Sequence, residues 1–478
     1  MRALATILSL EAKNMNLVLI TIDCLRADHL SCIGYKKNTT PFIDQLAKKG
    51  ALYTNVIANG LGTGTAFPAV MTSTYPHMSI PYKTSKKTIA EVLRERGYKT
   101  AGFNDNPFLS SYFGYNRGFD FFEDFIGEAK AETGAIRGIK KKMKEMVSVD
   151  EKLRSFAQFF LRMFSSLGLQ PSGDGLTINR KVFSWLEENY KYSFFLWIHY
   201  MDVHGPHRAP KDYIQKVNGW CPSIIGRRKL AAFTGNKSLD KRETDILKAI
   251  YDAEIRYVDD RVRELFRNLT SLGIAKDTNL IITADHGEEF FEHGGYHCAQ
   301  APNFYDEMIR IPLIIYGPNI SSKRIESQVE HIDIAPTILA VLGEPKENRF
   351  TGKNLLANAR SECVITECAR GHARMILSFK DFDLLKISIR LEEDGEKWKY
   401  ILSIREMKEE LYNLSMDPFE KKNVVKEAGK MLKKLRKKAM KHTKKAMIWK
   451  KKLKKLEQTY TTEEKEQIKE RLRSLGYL

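Results

Sequence analysis

At 478 residues the chain exceeds what one compact core usually holds, so one large domain with a smaller appendage is expected. The formal charge of +19 suggests a nucleic-acid binder until it is located: residues 426–455 carry fifteen Lys or Arg against one Glu, which leaves the remainder only mildly basic and nucleic acid a disfavoured partner. Six cysteines (Cys24, Cys32, Cys221, Cys298, Cys363 and Cys368) form neither a CxxC pair nor a dense framework. That usage, with no cleavage pattern after the short apolar stretch 3–10 and no run near the ~20 apolar residues of a membrane span, reads as a cytoplasmic protein.

In chain order, residues 16–23 are an apolar run that stops on Asp23. A helix over 42–47 follows Thr40-Pro41, a second is expected over 88–96, and a strand over 99–103. This alternation predicts a mostly parallel sheet with helices on both faces. Residues 128–185 are Lys-rich with a Pro-Ser-Gly-Asp-Gly turn at 171–175, and read as an inserted helical cap. A strand at 193–199, a long helix over 241–272, a strand at 279–284, a strand at 311–316 and a helix over 333–339 complete a catalytic unit spanning 14–348.

From about 350 the segments shorten and alternate (375–380, 384–389, 398–404), as in a small antiparallel sheet filling a subdomain over 349–425. The tail, 426–478, is helical and basic. Leu432, Leu435, Ala439, His442, Ala446, Trp449, Leu453 and Leu456 line one seam at alternating spacing of three and four. Such a helix suits an anionic membrane surface, self-association, the protein's own acidic face, or simple packing through its seam.

The chemistry gathers where apolar strands end in metal-ligand residues. The run 279–284 delivers Asp285 and His286 together, and 16–22 delivers Asp23, so two separated strands offer ligands for one cation at a sheet edge. A buried charged pair at a strand end is costly without such an ion. The glycine-rich turn at 60–68, Gly60-Leu61-Gly62-Thr63-Gly64-Thr65-Ala66-Phe67-Pro68, can present a hydroxyl beside it, from Thr63 or alternatively Thr65. Its glycines imitate a nucleotide loop, but the third spacing is wrong and no Lys-Ser/Thr follows. The mixed oxygen and nitrogen shell suits Zn or Mn.

Five blocks in order resemble the sulfatase family of the alkaline phosphatase superfamily: Asp23-Cys24-Leu25-Arg26-Ala27-Asp28-His29-Leu30, Thr40-Pro41-Phe42-Ile43-Asp44-Gln45-Leu46-Ala47, Met71-Thr72-Ser73-Thr74-Tyr75-Pro76, Asp285-His286-Gly287-Glu288, and Glu410-Leu411-Tyr412-Asn413 running on to Asp417-Pro418. The resemblance implies an α/β fold, an alkaline-phosphatase-like α/β/α sandwich with a C-terminal antiparallel subdomain and here a basic helical tail. It implies an ester hydrolase or phosphotransferase acting on phosphate or sulfate esters, with Asp23, Asp285 and His286 as metal ligands and Thr63 as the nucleophile completing the shell. It would make the ion Ca or Mg.

Two departures stand out. Thr63-Gly64-Thr65-Ala66-Phe67 replaces the family's Cys or Ser, any residue, Pro-Ser-Arg, so no formylglycine can form, and Cys24 stands where many sulfatases carry a further Asp. A Thr nucleophile is similar to the phosphoethanolamine and phosphoglycerol transferases of the superfamily, whose resemblance also points to His204 and His297 as catalytic and substrate-binding or second-metal groups. His29, His199, His207, His293 and His331 read as structural or supporting, and Arg26 as a neighbour of the acids or a partner of Asp28. Cys221-Pro222-Ser223 lacks the spacer and the Arg of a nucleophile motif. The rivals are a sulfuric ester hydrolase without formylglycine and an inactive scaffold that binds membrane or nucleic acid through its tail.

Overall fold

The computed structural model describes residues 15–78, 86–124, 174–223, 239–294, 303–357, 360–369 and 384–454. Strand β1 (Asn16–Ile22) is buried along its whole length, so both faces of the sheet around it are covered. Helix α1 (Pro41–Lys49) starts with proline at its first turn, where the missing N–H costs nothing. Then come β2 (Ala51–Ile57), α2 (Thr63–Thr72) and α3 (Ile89–Glu95), the last closed by a capping box in which Thr88 and Glu91 exchange side-chain and backbone bonds. Strands β3 (Lys99–Asn104) and β4 (Phe121–Glu123) lead to α4 (Gly175–Asn189), β5 (Phe194–Tyr200) and α5 (Lys211–Asn218). The long α6 (Lys241–Ser271), capped by Asp240, β6 (Thr278–Ala284), the short α7 (Asp306–Ile309), β7 (Arg310–Tyr316), β8 (Lys323–Ile325), β9 (Val329–Glu330) and α8 (Ile334–Val341) finish the first unit.

The large sheet runs β4-β3-β5-β1-β6-β7-β2-β8, with β9 also on β2. From β4 to β6 every pairing is parallel, and β7 is antiparallel to both β6 and β2. Helices α1, α4 and α5 gather around α6, whereas α2 packs with α3 and α8. The expected mostly parallel sandwich is therefore present, with an antiparallel insertion beside β6.

The second sheet is wholly antiparallel: β10 (Cys363–Ala369), β11 (Leu384–Glu393), β12 (Glu396–Ser403) and β13 (Lys408–Asn413) in that order. It joins the first unit through an apolar layer in which Val364, Ile401 and Tyr412 meet Ile57, Phe304 and Met308. Helix α9 (Gly429–Lys454) lays Leu435 and Ala439 against Ile387, Ile389 and Leu402. The first part of the seam read from the tail, Leu432, Leu435 and Ala439, is thus packed on the chain's own sheet, while Leu456 lies outside the described residues. No described helix is long and apolar enough to cross a membrane.

Two expectations need adjustment. The proposed cap falls mostly outside the described residues, but its final part is not a cap: α4 buries Ile178, Val182, Trp185 and Leu186 against the sheet layer. The lysines that coloured the segment lie ahead of this helix, at 140–152, and obscured an apolar face spaced at helical period. The segment 375–380 lies outside the described residues.

Candidate active site

The parallel strands bring their carboxyl ends to one edge, and the register Ile22↔Ala284 places the residues that follow, Asp23 and Asp285, side by side. Both carboxylates are fully buried. Cys24 turns the chain with a left-handed φ of 58°, and its N–H donates to Asp285 Oδ1 at 3.2 Å. The Tyr251 hydroxyl of α6 braces that turn, donating to the Cys24 carbonyl at 2.6 Å and accepting the Arg26 N–H at 2.9 Å.

His286 Nε2 lies 3.5 Å from Asp285 Oδ2 and 3.8 Å from Asp23 Oδ1, while its Nδ1 is fixed by the Gly287 carbonyl at 2.8 Å. Assigning the proton to Nδ1 leaves the Nε2 lone pair facing the two acids. Gly287 must lack a side chain, since a Cβ there would stand 1.9 Å from the Glu307 carbonyl oxygen.

Thr63 is the first residue of α2, and its hydroxyl lies 3.4 Å from Asp23 Oδ2. Thr65, the other hydroxyl of the turn, donates instead to the Gly62 carbonyl at 3.0 Å. Phe67, at the family's Arg position, is buried edge-on to His199, with ring centroids 5.1 Å apart. Its role is to pack.

Donor atoms of Asp23, Cys24 and His204 lie within 4.8 Å of one another, as do those of Asp23, Asp285 and His286. The site therefore brings together five of the six residues singled out in sequence; His297 lies outside the described residues. Arg26 is spent elsewhere, forking onto Asp28 and reaching Glu292 at 2.8 Å. His29, His207 and His293 pair with Asp252, Glu254 and Glu307, respectively.

One participant was missed. Asn106, just past β3, donates to Asp23 Oδ2 at 2.8 Å and lies 3.4 Å from the Thr63 hydroxyl. Its signal was its place: a polar residue following a parallel strand whose end shares the edge with β1 and β6. His199 is more than structural, because its Nε2 meets Asp23 Oδ2 at 3.1 Å while its Nδ1 meets the Thr21 hydroxyl, itself accepting from the Trp197 indole N–H.

Burial alone would raise Asp23, but His204, His199 and His286 outweigh it and hold the carboxyl well below the usual range. Asp285 is pushed the other way by burial and by Asp23, and its Oδ2 is a buried oxygen with no hydrogen-bond partner among the described residues. Two abutting acids, one orphaned oxygen and an imidazole lone pair form a donor set that fits a divalent cation.

Residues 15–344 match the sulfatase family, and residues 292–446 match the C-terminal region of N-sulphoglucosamine sulphohydrolase. The chain belongs to the sulfatase family. It is 24% identical to arylsulfatase K of Bos taurus over 409 residues, covering 80% of this chain and 73% of that one. With the uncharacterized sulfatase YidJ of Escherichia coli the identity is 23% over 434 residues, covering 86% and 83%. The fold matches the crystal structure of a phosphonate monoester hydrolase of Agrobacterium radiobacter with a TM-score of 0.66 at 18% identity, covering 90% of this chain and 96% of that one. This sulfatase-family chain is accordingly an ester hydrolase of alkaline-phosphatase-like fold, its edge-of-sheet acids lying where the fold collects ligands.

Proposed function

We propose that the protein hydrolyses or transfers a phosphate-type ester through a covalent Thr63 intermediate, with Asp23, Asp285 and His286 holding a divalent ion. The observation that carries this reading is the Thr63 hydroxyl, 3.4 Å from Asp23 Oδ2 and beside the orphaned oxygen of Asp285. A bound divalent ion would ease loss of the threonine proton and offset charge on the ester oxygens.

Asn106 and His199 orient Asp23, and Asp23 with Asn106 orients Thr63. Threonine oxygen then forms a bond to phosphorus as the bond to the departing alcohol breaks. His204 is placed to bind an ester oxygen or to return a proton to the alkoxide. Water, or the hydroxyl of an acceptor, releases the adduct from Thr63 and regenerates the free hydroxyl. Phosphate is preferred over sulfate because residue 63 cannot become formylglycine, and a divalent ion with the His204 imidazole beside it would offset the charge of a dianion. A second reading, sulfate ester hydrolysis by the same threonine, is favoured by the arylsulfatase relatives.

Aryl phosphate mono- and diesters and aryl sulfates, assayed side by side with Zn, Mn, Ca and Mg, separate the two. Thr63→Ala should lose activity by about a thousandfold or more, whereas Thr65→Ala should keep most of it and lose about 1 kcal/mol of stability. Mass spectrometry should find the trapped adduct on residue 63. Undiminished turnover by Thr63→Ala, or clear sulfate release beside inert phosphoesters, would overturn the proposal.

A further inference from the structure

A second group of metal-type donors lies apart from the active site and has no part in the chemistry above. His77 sits in the turn Pro76–Met78, Glu367 on β10 and His442 on α9, so three elements far apart in sequence converge. All three side chains are buried, at 3%, 1% and 7% exposure. His77 Nδ1 and His442 Nε2 each lie 2.5 Å from the same atom, Glu367 Oε1, and the two imidazole rings meet edge to face with centroids 4.8 Å apart. The other oxygen of Glu367 accepts the backbone N–H of His77 at 2.8 Å, fixing the carboxylate's orientation.

Burial works against the charge of Glu367, but the two imidazoles overcome it and bring the carboxyl down to about 2. The ionised group has these two imidazoles as its only ion-pair partners among the described residues. A buried carboxylate flanked by two imidazoles calls for a positive charge, supplied either by a proton on one ring or by a cation between the three. Two histidines and one glutamate form a zinc-type donor set, which leaves a fourth position for water. Metal–ligand bonds of ~2.1 Å need donors roughly 3.3 Å apart, so the side chains need to part by less than about 1 Å.

We propose that His77, Glu367 and His442 form a second cation site, suited to a zinc-class transition ion, that fastens helix α9 to the catalytic unit. The fastening reaches the nucleophile's turn. Glu367 pairs with Gly60 across an isolated bridge and donates its N–H to the Asn59 carbonyl at 2.9 Å, three to four residues before Thr63. The ion would therefore tie the tail, the second sheet and the loop of Thr63 into one unit.

The test uses the full chain, stripped of metal and reloaded with zinc, with bound ions counted by elemental mass spectrometry. Asp285→Asn removes one ligand of the active site, and the difference between it and a double variant isolates the second site. The single variant should still hold one zinc per chain, and His442→Gln added to it should abolish that ion. Cobalt in Asp285→Asn should give the visible absorption of a four-coordinate nitrogen and oxygen shell, absent in the double variant. His442→Cys, which keeps a ligand, should restore binding, and zinc should slow tryptic cutting within α9 in every variant that binds it. If folded Asp285→Asn, checked by circular dichroism, holds no more zinc than the double variant, the three groups are a hydrogen-bonded cluster and the inference fails. That outcome is independent of whether Thr63 carries an adduct.

Discussion

Asp23 Oδ2 has three donors around it: Asn106 Nδ2 at 2.8 Å, His199 Nε2 at 3.1 Å and the Thr63 hydroxyl at 3.4 Å. Asn106 also approaches Thr63, so it aligns the Asp23 carboxylate and the Thr63 hydroxyl together. Asn106→Ala should lower kcat by about 10- to 100-fold with a smaller change in KM, and Asn106→Asp should be worse because it adds a third carboxylate. Steady-state kinetics with metal in excess checks both. His331 behaves differently. Its Nε2 is bound to the Ala284 carbonyl, its Nδ1 has no partner among the described residues, and burial, with His286 nearby, lowers it from 6.5 to about 4.

The folded state thus prefers neutral His331. Its contribution is complete above pH 6.5, shrinks as the unfolded chain takes up a proton that the folded one refuses, and is gone by about pH 4. The loss is on the order of 3 kcal/mol. His331→Gln should flatten the denaturant-measured stability profile between those two pH values; an unchanged slope would assign the acid sensitivity elsewhere.

At the scale of elements, the turn into α2 decides where the Thr63 hydroxyl stands. A Cβ on Gly60 would lie 2.2 Å from the Thr65 carbonyl carbon and 2.4 Å from its oxygen, and backbone atoms cannot step aside as a flexible side chain could. Gly60→Ala should therefore push the turn away from Asp23, costing about 1–3 kcal/mol in stability and most of the activity. Thermal unfolding and turnover, measured on the same preparation, test it. Helix α9 shows how one seam can have several readings in sequence: its buried side carries Leu435, Ala439, His442 and Ala446, while its exposed side is mostly lysine with Met440, Met447 and Ile448. Periodicity revealed the seam but could not name its partner.

At the scale of the molecule, the two sheets are joined by charge as well as by apolar packing. Asp306 of α7 meets Arg390 of β11 and Lys399 of β12, each at 2.7 Å, and Lys399 also meets Glu420 at 2.7 Å. Lys399 is fully buried, so removing it strands Glu420 and leaves Asp306 with Arg390. Asp306 is held far below the usual carboxylate range by Arg390 and Lys399 against the effect of burial, whereas burial raises Glu420 to about 7. Lys399→Met should cost about 3–5 kcal/mol and loosen the second sheet from the first, seen as a lowered or split unfolding transition.

Asp23, Asp285 and His286 were legible in sequence because the signal is local: an apolar strand that halts on a ligand-type residue. Thr63 was legible from its glycine-rich turn and from the motif it resembles, and the parallel sheet from the alternation of strands and helices. The expectation for α4 failed because the Lys-rich run ahead of it obscured the helix's own buried face. Asn106 beside Asp23, 83 positions away, and His77 beside Glu367, 290 away, depend on long-range contacts that no local pattern encodes. Burial periodicity fixes which side of an element turns inward, but only packing and strand order decide what that side meets.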